Sequence, residues 1–531
     1  MLNPVLLGST RFEGAPVFSL KAEGAAADCF ESISTWLQTC SNEHQRCGPC
    51  RMSDLPSRII EVGENYNPNV KLRATDTEEK GLYACLSHRW GAQSASTLKL
   101  TTQSYDRLVN NYVPLETLPR TYADAVMVAR ELQIPYLWID SMCITQDDNE
   151  DWVNESSMMA QIFQNCALTI AATTASSSFD GCFSDVLPSN QETHRLEISA
   201  HRPYLESIEI YVRQRTRHSK SGSGHRLSDL AGSTKLPLLE RGWVYQERLL
   251  SPRVIHFIGK DVIWECNSST KCLCEKDPLV EVFSGEGNPK IDHSASFLFR
   301  ARELHSRWQS VVEEYSRLLL TIPTDRLPAL SGLAKRFAEA NGDTYLAGLW
   351  ASTVITDLLW HVSSVPTARP DKFQAPTWSW ASVAGVISYS LAPMEEMVLS
   401  SLATVEFQPG AHAFMGEYSS PNLILTGQMI SIESSWGGRS LSSTNNNMSL
   451  NFYPDVRLTD ITITGELGSK NTFCLRLCRN ETKVPMEYFL VLKCIDTISQ
   501  VYERIGLAEY SGTEMLASIA HMYDRSKVII R

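Results

Sequence analysis

The pattern of hydrophobic and polar positions changes character several times along the chain. From Gly81 onward, short apolar runs alternate with amphipathic stretches, the signature of βαβ units packed as a parallel sheet. Residues 82–86 suit a buried strand that stops at the polar Ser87 and His88, before the Trp90-Gly91 break. Thr121 with Asp124 three residues on is a capping-box pattern, and Ala125, Val128, Ala129 and Leu132 then recur at helical spacing. Pro135 ends that helix, and 136–139 forms the next strand, finishing at Asp140. A second helix over 151–165 leads into a third strand at 167–172. Residues 242–250 read as a helix running into strands at 254–258 and 261–266.

Outside this block the pattern differs. Residues 1–80 form a lead-in with a helix-like stretch at 30–37 and a Cys/His cluster. The segment 176–235, which carries SKSGSG, reads as an insertion in a domain spanning 81–275. From 285 to 375 the spacing is helical, with helices predicted at 305–320, 325–340 and 345–361. After Pro376 the period becomes two, and the runs 423–430, 473–477 and 488–495 predict an antiparallel sheet in a mainly-β domain, 376–531. A chain of 531 residues is too long for one core, in keeping with several domains.

Parallel neighbouring strands joined by a right-handed crossover would bring Ser87, His88 and Asp140 to the carboxyl edge of the sheet, where ligands of open α/β folds bind. Charge narrows the classes of ligand. A net charge of −12 with no long Lys/Arg run argues against nucleic acid as the main partner. The amino terminus lacks a basic start followed by an apolar stretch, and no window is long and apolar enough for a membrane span, so a cytoplasmic protein is expected. Fourteen cysteines in that setting are reduced thiols or metal ligands rather than a disulfide framework. Cys40, His44, Cys47 and Cys50 place four candidate ligands within eleven residues. Structural zinc is one reading of them and partly buried free thiols the other. Cys266, Cys272 and Cys274 form a looser group whose spacing does not define a site. No GxGxxG or P-loop is present, which argues against a dinucleotide-dependent dehydrogenase or an NTPase.

Three blocks, YACLSHRWG at 83–91, TYADAVMVARELQIPYLWIDSMCITQDD at 121–148 and ERGWVYQERLLSPRVIHF at 240–257, together with ALTIAATTA at 167–175, resemble the HET domain of fungal heterokaryon-incompatibility proteins. CSNEHQRC near Cys40 and APTWSWASV at 375–383 also look like elements of long HET proteins, so the resemblance extends over most of the chain. HET domains are in turn distantly similar to TIR domains, flavodoxin-like α/β folds of which several cleave NAD at the nicotinamide glycosidic bond. That resemblance implies a flavodoxin/TIR-like parallel sheet. It also implies a role in self/non-self recognition and programmed cell death, self-association, and a protein partner from an incompatible allele. The TIR catalytic glutamate lies on a helix behind a tryptophan, and Trp243, Gln246 and Glu247 occupy a comparable helix-then-strand position. The implied enzyme is an NAD hydrolase needing no cofactor. In it Glu247 stabilises the oxocarbenium charge, and Ser87, His88, Trp90, Asp140 and Trp243 line the nucleotide pocket.

Each candidate also has a plainer reading. Glu247 could be a helix-surface acid paired with Arg241 or Arg248, or a fold-stabilising acid without activity. Ser87 and His88 could terminate a strand, Asp140 could cap the next turn, and Gln146, Asp147 and Asp148 could form a loop and helix cap. Cys143 fits a small buried thiol better than a nucleophile. Trp90, Trp138 and Trp243 suit core anchors, as do Trp378 and Trp380 at alternating positions of one strand face. At the level of function the rivals are a non-enzymatic adaptor of the same fold and a HET-like protein recruited to secondary-metabolite biosynthesis, acting on a small organic substrate.

Overall fold

A computed structural model describes residues 2–6, 23–91, 98–183, 194–198, 208–214, 235–258, 261–273, 288–298, 301–364, 369–370, 372–391, 396–398, 401–406, 413–416, 422–432, 440–443, 448–457, 471–480, 485–511 and 525–531. The chain divides into two compact units, Met1–Phe299 and Arg300–Arg531.

The first unit is organised by a mixed nine-stranded sheet. Its strands are β1 (Arg58–Glu61), β2 (Asn69–Ala74), β3 (Tyr83–Ser87), β4 (Tyr112–Pro114), β5 (Tyr136–Trp138), β6 (Leu168–Ala171), β7 (Arg253–Ile258), β8 (Asp261–Cys266) and β9 (Thr270–Cys272). Their spatial order is β9-β8-β7-β6-β3-β5-β1-β2-β4. The centre is parallel: β3 pairs with β5 and β6, and β6 with β7. The sheet is therefore not purely parallel, as the βαβ pattern alone suggested. Antiparallel strands extend it on both sides, because β7–β9 and β1–β2 follow one another through short turns that permit only antiparallel pairing. β3 and β6 are buried at every position, which explains their largely apolar sequence.

Among the four parallel strands, chain order runs 2-1-3-4 across the sheet, and the reversal of direction falls between β3 and β6. Helix α1 (Glu23–Glu43) precedes the sheet, and it is longer than the 30–37 stretch anticipated. α2 (Arg120–Glu131) links β3 to β5, α3 (Asn149–Asn165) links β5 to β6, and α4 (Gly242–Leu250) precedes β7. α3 and α4 touch through Trp152 and Trp243, whose rings meet edge to face at 6.4 Å.

The capping box expected at Thr121 does not form. Pro119 occupies the N-cap, and Thr121, inside the helix, contacts the 177–181 loop instead. Asp124 accepts from the Cys182 amide, so both side chains tie a distant loop to α2. Most of the insertion anticipated at 176–235 lies outside the described residues.

In the second unit, helices Ala301–Tyr315 and Ser331–Asn341 form near the anticipated positions, but 345–361 is not one helix: a hairpin opens it, and only a 3-10 turn at Ala351–Thr353 and a short helix at Val354–Asp357 follow. Ala347 and Gly348 both have positive φ, 49° and 101°, and turn Tyr345–Leu346 back onto Leu349–Trp350 as a hairpin. The indoles of Trp308 and Trp380 both donate to the Gly348 carbonyl, at 2.9 and 3.0 Å. Trp378 and Trp380 are fully buried as expected, although they lie in a turn and a 3-10 segment rather than a strand.

The C-terminal strands β10 (Asn422–Ser431), β11 (Thr472–Asn480), β12 (Met486–Asp496), β13 (Val501–Ser511) and β14 (Arg525–Ile530) include the three runs read from the sequence. β10 pairs with β11, β11 with β12, β12 with β13, β13 with β14 and β14 again with β10, so the ladder closes on itself. No helix among the described residues is long and apolar enough to cross a membrane.

Candidate functional site

The carboxyl ends of β3 and β5 and the body of α4 converge as the topology requires. Ser87, the last residue of β3, donates its hydroxyl to Glu247 Oε2 at 2.5 Å, joining residues 160 apart in sequence. Glu247 lies on the buried side of α4 at 7% exposure, so it is not a surface acid. Neither pairing envisaged for a surface acid forms a hydrogen bond with it. Arg248 makes a two-pronged bond to Glu265, at 2.7 and 2.6 Å, and Arg241 donates to the His88 carbonyl at 2.5 Å. Burial raises the Glu247 carboxyl to about 7, while the Ser87 hydrogen bond and the Arg241 charge pull the other way.

His88 is buried beside this pair. Its Nε2 lies 3.1 Å from the Tyr122 hydroxyl, which in turn lies 2.6 Å from Ser141 Oγ, and its Nδ1 lies 3.7 Å from Asp140 Oδ1. Burial lowers the imidazole to about 4, so His88 is neutral at physiological pH. Asp140 also accepts from the Trp90 indole at 3.1 Å and from the Ser141 amide at 2.7 Å, combining the anticipated turn cap with a position in the cluster. Ser87, His88, Trp90, Asp140 and Glu247 are thus brought to the carboxyl side of the parallel strands. Trp243 is placed against Trp152 of α3. Tyr122, Ser141 and Arg241 complete the network. Sequence reasoning assigned no site role to them, since nothing in their local spacing marks contacts across the sheet.

The other chemical candidates take their plainer roles. Cys143 is buried and burial pushes its thiol up to about 12, which makes it a poor nucleophile at neutral pH. Gln146 donates to the carbonyls of Asp140 and Ile144, Asp147 holds Thr102, and Asp148 caps α3 by accepting from the amides of Glu150 and Asp151. Trp138 is a core residue, edge to face with Phe163 at 5.7 Å.

A second cluster lies at the far end of the strands. Cys40, His44 and Cys47 come together as their spacing suggested, but the fourth member is Cys266 at the end of β8, not Cys50. The backbone amide of Cys50 instead donates to Ser41 Oγ at 2.9 Å. Cys274 lies outside the described residues. Thiolate and imidazole suit zinc, so these four residues could hold it. A cleft of about 600 Å³ opens beside Cys50, lined by Arg51, Met52, Ala167, Pro252 and Arg253 among others. Ala167 and Pro252 precede β6 and β7, so this cleft is at the amino ends, away from Glu247.

Residues 83–247 match the family described as Heterokaryon incompatibility protein (HET). No curated protein and no protein of solved structure matches the chain. The matched span begins with β3 and ends at Glu247 itself, and so takes in the whole Ser87–His88–Asp140–Glu247 network: the chain carries a heterokaryon-incompatibility domain.

Proposed function

We propose that this chain is an incompatibility effector that triggers cell death by hydrolysing the N-glycosidic bond of NAD or a related nucleotide. The observation that carries the reading is the Ser87–Glu247 pair, set at the carboxyl side of a parallel sheet ordered 2-1-3-4, beside the point where strand order reverses. That order is shared by flavodoxin-like folds, which supports the TIR-like resemblance at the level of topology. As the bond from the ribose anomeric carbon to the pyridinium nitrogen breaks, its electron pair leaves with neutral nicotinamide. The ionised Glu247 stabilises the oxocarbenium charge on the sugar. Water then adds to the anomeric carbon and releases a proton, giving ADP-ribose. Ser87 positions the carboxylate, and Asp140, Trp90 and neutral His88 offer polar contacts to the nucleotide.

Burial favours a second reading. Glu247 is enclosed and held by Ser87, as a fold-stabilising acid would be, which suits an adaptor that kills by recruiting other proteins. Purified protein at concentrations high enough to self-associate distinguishes the two through NAD consumption by wild type, Glu247→Gln and Ser87→Ala. The hydrolase predicts turnover lost in Glu247→Gln and reduced in Ser87→Ala. Equal turnover in wild type and Glu247→Gln refutes the assignment, and absence of turnover with cell killing retained by both supports the adaptor.

A further inference from the structure

We infer that Cys40, His44, Cys47 and Cys266 form a closed tetrahedral zinc site that clamps helix α1 to the end of strand β8. Cys40 and His44 lie one turn apart at the carboxyl end of α1, with the His44 amide donating to the Cys40 carbonyl at 3.2 Å. The chain then reverses. The amides of Cys47 and Gly48 donate to the His44 carbonyl at 3.0 and 3.2 Å, and Gly48 takes a φ of +65°. This turn aims Cys47 back at Cys40, and β8 delivers Cys266 from across the domain.

The four ligand atoms all lie within 4.8 Å of one another, and Cys266 Sγ is 3.4 Å from His44 Nδ1. Zinc bonded tetrahedrally at about 2.3 Å to sulfur and about 2.0–2.1 Å to nitrogen sets sulfur–sulfur separations of about 3.8 Å and sulfur–nitrogen separations of about 3.6 Å. The cluster therefore needs to contract by no more than about an ångström to hold the ion.

The surroundings also fit a metal-thiolate centre. Arg253 Nε donates to Cys40 Sγ at 3.2 Å, the Ser269 amide donates to Cys266 Sγ at 3.2 Å, and Ser268 Oγ lies 3.7 Å from Cys47 Sγ. Donors to ligand sulfur are the usual outer shell of such sites. Three thiolates around a divalent ion leave one negative charge, which the buried Arg253 guanidinium balances. Arg253 also donates to the Gly48 carbonyl, fixing the ligand turn to the start of β7. Cys40 and Cys266 are fully buried, and all four positions are filled by protein, so the site is structural rather than catalytic. Trp36 of α1 packs on Trp264 of β8, ring centroids 6.4 Å apart, extending the same junction.

The test compares two cysteines that local sequence spacing ranks in the opposite order. Full-length protein purified without added metal is analysed for zinc and by X-ray absorption, as wild type, Cys50→Ser, Cys266→Ser and His44→Cys. Wild type and Cys50→Ser are expected to carry about one zinc per chain with a three-sulfur, one-nitrogen shell. Cys266→Ser is expected to lose it at least tenfold more readily to a chelator. His44→Cys keeps the metal with a four-sulfur shell, which preserves a readout should Cys266→Ser fail to fold. Loss of zinc in Cys50→Ser with retention in Cys266→Ser, a shell of different composition, a disulfide among these cysteines, or metal-free folded wild type overturns the inference.

Discussion

Replacing Glu247 with glutamine should change how the stability of the first unit depends on pH. Burial raises this carboxyl from an ordinary 4.5 to about 7, so the folded state holds its proton more tightly than the unfolded chain does. The associated stability is fully present below pH 4.5 and is lost as pH rises toward 7. At about 1.4 kcal/mol for each tenfold change in proton affinity, the loss amounts to roughly 3 kcal/mol. His88 acts in the opposite direction. Its imidazole is lowered from 6.5 to about 4, so its contribution is present above 6.5 and is lost as pH falls through 4. The two effects partly cancel in the wild type, and Glu247→Gln, which keeps an acceptor for Ser87, removes one of them. The variant should therefore gain stability steeply between pH 4 and 6.5, where the wild type is nearly flat. The difference between the proteins should change by roughly 3 kcal/mol between pH 4.5 and 7.5. Hydrogen exchange of β3 and β6 peptides across a urea series reports this unit separately from the other. Parallel stability curves for the two proteins over that interval refute the argument.

Two further outcomes follow from packing alone. Arg504 is fully buried, bonded to Asp455 and to the carbonyls of Leu358 and Trp360, and stacked 3.4 Å from the Trp360 ring centroid. Arg504→Met should destabilise the second unit by roughly 2–4 kcal/mol, because it leaves the carbonyls of Leu358 and Trp360 without their donor and the buried Asp455 with Arg369, 3.1 Å away, as its remaining ion-pair partner; the loss is read as a lowered urea midpoint. Gly91 has a φ of +88°, and a Cβ there would stand 2.5 Å from Ser177 Cβ. Gly91→Ala should cost roughly 1–3 kcal/mol in the first unit, and an unchanged melting curve contradicts that geometry.

What the sequence disclosed was local. Short, largely apolar runs announced β3 and β6 because both faces of a central parallel strand are covered, and Pro135 signalled a stop that α2 reaches a few residues earlier, at Glu131. Ser87, His88 and Asp140 were placed at one edge because chain direction fixes which strand end they occupy. The hidden features depend on contacts across the fold. Thr121 and Asp124 have capping-box spacing, yet the 177–182 loop claims both side chains. The 345–361 segment has helical composition, but two successive positive-φ residues impose a hairpin. Cys50 stands nearest to the Cys/His cluster in sequence, whereas Cys266 arrives only through the pairing of β7 with β8.

The sheet order carries a practical consequence for anyone dividing this protein. A fragment cut at the family boundaries, 83 and 247, keeps β3 to β6 but discards β1, β2, β7, β8 and β9. β5 would lose β1 and β6 would lose β7, turning two interior strands into raw edges with unpaired backbone amides and carbonyls. Such a piece is expected to precipitate or be degraded. A silent result in a killing assay with it would therefore report on solubility, not on activity. The evolutionary module and the folding module are of different lengths here, and only the longer one, Met1–Phe299, offers a fair test of what the shorter one does.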